Sequence, residues 1–83
     1  MRTSKDDIRE WFKSGVRQEA THLVVICDTF DYTDYPVYIL PGQDARKKVF
    51  DRDGKNMEKI MEVFDLSKDV EEQITGDRYV RNY

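Results

Sequence analysis

The sequence predicts an α+β fold with α-β-β-α-β-α connectivity, built on a small three-stranded, mainly antiparallel sheet of order 2-1-3 with helices packed on it. Three observations carry this. Ile8, Trp11, Phe12 and Val16 recur at helical spacing near the start of the chain. Residues 21–28 hold the β-branched run Val24, Val25, Ile26 with apolar side chains on both faces, as in a central strand covered on each side. With 83 residues there is room for one domain, and a short sheet needs a third strand to be stable.

The elements follow in order. A first helix is predicted over residues 3–20, with Ile8, Trp11, Phe12 and Val16 inward. Ser4 and Asp7 sit three apart, in the spacing of a capping box. Asp6 and Asp7 suit the positive end of the helix dipole, and Lys13 and Arg17 suit its later turns. Residues 21–28 form the first strand, with Leu23, Val25 and Cys27 on one face and His22, Val24 and Ile26 on the other. Two covered faces imply helices on both sides or a second subunit, which points toward a homo-oligomer.

A second strand is predicted over 35–40. Pro36 and Pro41 bound it and place it at a sheet edge, because proline lacks the amide donor. The connection 29–34 is longer than the ~2–5 residues usual in a hairpin, and long loops often carry function. A second helix is expected over 43–52 with Ala45, Val49 and Phe50 inward, closed by Gly54. Met57, Ile60, Met61 and Phe64 match a helical stripe, yet 62–66 alternates and is rich in strand formers. The need for a third strand decides for a strand over 58–66. Its crossover from the second strand makes it antiparallel to the first. Ser67 is read as the cap of a short last helix with Val70 and Ile74 inward, stopped by Gly76. Residues 77–83 read as a tail on one compact domain spanning 1–83.

Composition narrows the function classes. Acidic residues outnumber basic ones, 17 to 14, for a net charge of −3, so a duplex nucleic-acid partner is not expected. The longest apolar run, 23–27, is far short of the ~18 residues of a membrane span. No apolar h-region follows the first residues, and a lone cysteine suits a reducing compartment, so a cytoplasmic location is expected.

No catalytic set is legible. Cys27 and His22 project to opposite faces of one strand, which argues against a Cys–His dyad, and the Cys/His ligands of a zinc site are missing. The segment 51–56 resembles the start of a calcium loop, but its glycine comes at the wrong position. No metal or cofactor is expected. A metal-dependent hydrolase using Asp28, Asp31 and Asp34 is a minor alternative without a supporting histidine.

The densest chemistry lies in Asp28, Thr29, Phe30, Asp31, Tyr32, Asp34, Tyr35 and Tyr38. Stacking rings beside hydroxyls and carboxylates suit a base or sugar; the competing reading is a polar hairpin with local turn bonds. Arg46 and Lys47, and Arg78 and Arg81 beside Tyr79 and Tyr83, are candidate phosphate and stacking groups, against the plain reading of solvated faces.

The stretches Ala20-Thr21-His22-Leu23-Val24-Val25-Ile26-Cys27-Asp28-Thr29-Phe30-Asp31 and Asp34-Tyr35-Pro36-Val37-Tyr38, with Gly54-Lys55-Asn56-Met57 and Met61-Glu62-Val63-Phe64-Asp65-Leu66, resemble a family of small uncharacterised phage and bacterial proteins. The resemblance spans most of residues 8–75 and implies no catalytic residue. A phage setting implies interference with host defence in the host cytoplasm. The expectation is a non-enzymatic protein that sequesters a small anionic ligand, such as a cyclic nucleotide signal, using the thirteen residues from Asp28 to Arg81 named above. The alternative is a protein-binding module that acts on a host protein through the aromatic loop and the edge strand.

Overall fold

The computed structural model describes residues 4–54, 57–74 and 81–83. Its elements are α1 (Lys5–Arg17), β1 (His22–Asp28), β2 (Thr33–Ile39), α2 (Ala45–Arg52), β3 (Glu58–Asp65) and α3 (Val70–Ile74). The sheet has the order β2-β1-β3, and β1 is antiparallel to both neighbours. The α+β class, connectivity and strand order are therefore as the sequence predicts.

The central strand builds two cores. Leu23 and Val25 pack with Ile8 and Phe12 of α1, Phe64 of β3 and Ile74 of α3. Val24 and Ile26 pack on the other face with Ala45 and Val49 of α2 and with Ile39, Ile60 and Val63. Each of these strand side chains is almost fully removed from water, worth ~1.5–3 kcal/mol apiece. The chain's own helices thus cover both faces of β1, and a second subunit is not needed for that purpose.

Each end of α1 has its own chemistry. The Ser4 hydroxyl accepts from the Asp7 amide and the Asp7 carboxylate accepts from the Ser4 amide, both at 3.1 Å. The helix stops three residues before the expected end. Glu19 turns left-handed at φ 60°, and the amides of Ala20 and Glu19 return to the carbonyls of Gly15 and Val16. That is a Schellman closure with glutamate in glycine's usual place. Val16 is exposed rather than inward, and Gly15 is the buried residue of that turn. The phenol ring of Tyr38 and Leu66 occupy the space a side chain there would need. The Tyr38 hydroxyl donates to the Trp11 carbonyl at 2.9 Å and fixes the helix to the sheet.

Three further expectations are corrected. Phe50 is 77% exposed, because one residue beyond the buried Val49 turns ~100° away from the sheet. β2 starts at Thr33, so the connection is four residues long, an ordinary hairpin, and the inference from loop length falls away. Ser67 does not cap α3: its amide and hydroxyl donate to Asp65 Oδ1, and Asp69 accepts from the Glu71 amide instead. Gly76 lies outside the described residues.

β3 carries a bulge. Val25 faces Glu62 while the next residue, Ile26, faces Ile60, leaving Met61 as the extra residue. The Arg81 guanidinium donates to the carbonyls of Met61 and Ile60 at 2.7 and 2.9 Å. Arg81 also forms a parallel bridge with Val63, and the Asn82 amide donates to the Val63 carbonyl. The end of the tail is therefore docked on the β3 edge. Buried Gln73 ties this region together: it donates to the Asp65 carbonyl and accepts from the Asp65 amide and from Asn82 Nδ2. On the surface Arg9 joins Asp6 to Glu71, linking α1 to α3.

Candidate functional site

The residues singled out in the sequence fall at two ends of the sheet. His22 and Asp28 are the ends of β1, about 20 Å apart at ~3.3 Å per residue. Asp28, Thr29, Phe30, Asp31, Tyr32 and Asp34 lie at one end, around the β1–β2 hairpin.

That hairpin is held by its own polar groups. Asp28 Oδ1 accepts from the Phe30 amide at 2.9 Å and the Asp28 carbonyl accepts from the Tyr32 amide at 2.7 Å. Asp31 Oδ1 accepts from both the hydroxyl and the amide of Thr33, and these bonds hold its carboxyl below the usual range. The Thr29 amide and hydroxyl both donate to the Met57 carbonyl, joining the tip to the turn before β3. Tyr32 and Met57 are left-handed, at φ 60° and 62°. Phe30, Tyr32 and Met57 are 77%, 69% and 59% exposed. A rigid turn therefore presents three large apolar side chains among aspartates.

Two tyrosines have structural positions. Tyr35 donates to Glu58 Oε2 at 3.0 Å, and Arg52 pairs with the same oxygen at 3.1 Å. Burial, then the Glu58 hydrogen bond, pushes the Tyr35 phenol up. Tyr38 is committed to α1, as described. Cys27 is half-buried, and burial followed by Asp34 raises its thiol.

The basic groups lie elsewhere. Arg46 and Lys47 are in the first turn of α2, at the far end from the hairpin. The Arg46 guanidinium sits 5.1 Å from the centre of the Tyr83 ring, within cation–π range. Arg81 spends hydrogen bonds on backbone carbonyls. Arg78 and Tyr79 lie outside the described residues. Among the described residues, the aromatic loop and the basic groups Arg46, Lys47 and Arg81 are not brought into one pocket. Among the described residues no group of three or more His, Cys, Asp or Glu side chains is placed to hold a metal ion.

The far end has a cleft of about 410 Å³ lined by Ala20, Thr21, His22, Asp65, Leu66, Ser67 and Tyr83. Its polar residues come from three separate stretches of sequence, brought together by the sheet register (His22 opposite Asp65) and by the docking of Arg81 and Asn82 on Val63. Sequence reading marked Tyr83 as a stacking group but had no signal for the others.

No family model, curated protein or solved structure matches this chain. Among the described residues, no helix is long and apolar enough to cross a membrane.

Proposed function

We propose that the chain is a non-enzymatic binding protein that docks on a protein partner through the β1–β2 hairpin tip. The observation that carries this reading is the exposure of Phe30 and Tyr32 on a turn fixed by four local hydrogen bonds. Rigid aromatic anchors bind well because little ordering entropy remains to be lost. Asp28, Asp31 and Asp34 belong to the same hairpin as the rings, so the complementary surface we propose is an apolar cleft rimmed by Lys or Arg. The outer edge of β2 is a weaker contact, since Pro36 removes a main-chain donor from it. Sequestration of a nucleotide by the hairpin together with Arg46 and Lys47 loses support, because those groups stand at opposite ends of the sheet. Action on a host protein remains the biological setting that the sequence resemblance suggests.

The test is quantitative affinity capture from bacterial lysate with the wild-type chain, a Phe30→Ala/Tyr32→Ala variant and a Phe50→Ala control. A stoichiometric protein should be captured by wild type and control and lost from the hairpin variant. Titration of that purified protein should then show at least a tenfold weaker Kd for the variant. Identical capture by all three chains would overturn the reading.

A further inference from the structure

The cleft beside His22 has an unmet hydrogen-bonding demand. The Thr21 hydroxyl donates to the Ile39 carbonyl at 3.2 Å, so its oxygen is left to accept from His22 Nδ1 at 2.9 Å. The proton of the neutral imidazole is then on Nδ1, and Nε2 is a bare acceptor. Nε2 is buried and, among the described residues, has no hydrogen-bond partner. A buried acceptor without a donor is costly, so it points to a group that the structure lacks.

A second acceptor stands next to it. His22 and Asp65 are directly paired across β1 and β3 and project from the same face of the sheet. Ser67 uses Asp65 Oδ1 for both its bonds, which leaves Oδ2 for another donor. Burial alone would push the Asp65 carboxyl up, but the two hydrogen bonds from Ser67, together with nearby His22 and Lys68, hold it below the usual carboxylate range. The Tyr83 ring forms a flat part of the wall.

We propose that this cleft binds a free nucleoside or nucleotide whose base carries an exocyclic amino group. One NH₂ has two protons, enough to bridge Asp65 Oδ2 and His22 Nε2, while the base lies on the face of Tyr83 opposite Arg46. Nε2 is shielded from solvent, so binding requires the cleft wall to move and open it. A cationic amine suits the site less well, since Arg46 already lies over Tyr83 and Lys68 stands near Asp65. The volume lies within the ~300–1,000 Å³ usual for ligand pockets. Arg46, held against Tyr83 and outside the cleft lining, is the cation we assign to a phosphate on the same ligand. The site is separate from the hairpin, so neither reading depends on the other.

The experiment uses the full chain and its single histidine. Imidazole ¹⁵N shifts are followed by NMR while adenosine, AMP or purine riboside, which lacks the amino group, is added to about 10 mM, enough to saturate a ~1 mM site. Nε2 should read as unprotonated in the free protein and shift saturably toward the hydrogen-bonded value with adenosine and AMP. Purine riboside should bind at least tenfold more weakly, and Asp65→Asn should weaken adenosine to a similar degree. AMP should bind more tightly than adenosine, and Arg46→Ala should remove that difference. The Phe30→Ala/Tyr32→Ala variant should bind adenosine as wild type does. Absence of a saturable shift, equal binding of purine riboside, or an Nε2 already hydrogen-bonded to water would overturn the proposal. The ligand comparison needs only the wild-type chain, so it decides even if a variant fails to fold.

Discussion

Gly15→Ala sets two opposed effects against each other inside one helix. Alanine is better than glycine in a helix interior by ~0.8–1.0 kcal/mol. The added Cβ, however, would lie 2.8 Å from Leu66 Cδ1 and 2.9 Å from Tyr38 Cε1. Favourable carbon–carbon contact begins near ~3.5 Å, so the overlap is about 0.6–0.7 Å. Leu66 can rotate its methyl away. The Tyr38 ring is held by its hydroxyl on the Trp11 carbonyl and packs against the α1 core. Overpacking of this kind costs ~1–3 kcal/mol. The net expectation is a destabilisation of ~0–2 kcal/mol, with a central value near 1, lowering Tm by ~4–8 °C for a domain of this size. Urea unfolding followed through the single tryptophan, Trp11, measures it directly. Tyr38→Phe keeps the ring and releases its anchor, so Gly15→Ala should cost less in that background. A Gly15→Ala protein more stable than wild type by the full ~1 kcal/mol of helix propensity would refute the argument.

Two further outcomes follow from the side-chain environments. Hydrogen bonds from Arg9 hold Glu71 below the ordinary carboxylate range, and those from Ser67 do the same for Asp65 against the upward push of burial. Groups with a lowered folded pKa stabilise fully above their unfolded value of about 4, and that stability is lost as pH falls through the folded value. Thermal unfolding should therefore be insensitive to these groups above about pH 5 and weaken below about pH 4, with a smaller acid loss in Glu71→Gln; an unchanged acid loss in that variant would contradict the Arg9 contribution. Burial and Asp34 raise the Cys27 thiol, so near neutral pH it should react with Ellman's reagent far more slowly than free cysteine, faster in Asp34→Asn, and a native rate matching the urea-unfolded one would count against that account.

The architecture was legible because β1 states it so strongly. A run of β-branched residues with two apolar faces demands a central strand, and helices at helical spacing before and after it supply the covers. The apparent helix at Met57, Ile60, Met61 and Phe64 has a physical origin in the bulge. With Met61 inserted, Ile60 and Val63 share one face, and Met61 and Phe64 pack on the other. Alternation by two becomes a spacing of three, which mimics a helix turn. Helix ends were less legible, since Glu19 closes α1 in a conformation usually left to glycine, and Asp65 captures the serine expected to cap α3. The candidate site divided because proximity along the chain is a poor guide to proximity in an antiparallel sheet. Asp28 and Arg46 stand at opposite ends, whereas His22 and Asp65, far apart in sequence, are direct neighbours.

Because consecutive residues of β1 feed opposite cores, the strand tolerates substitution and deletion very differently. Ile26→Val leaves both cores in place and removes one methylene. Deleting a single residue between His22 and Asp28 reverses the side of every residue on one flank of the cut, sending Val-sized side chains from the α2 layer into the α1 layer and the reverse. A one-residue deletion in β1 is therefore expected to scramble both layers at once, whereas the exposed turns between elements can absorb a change of length.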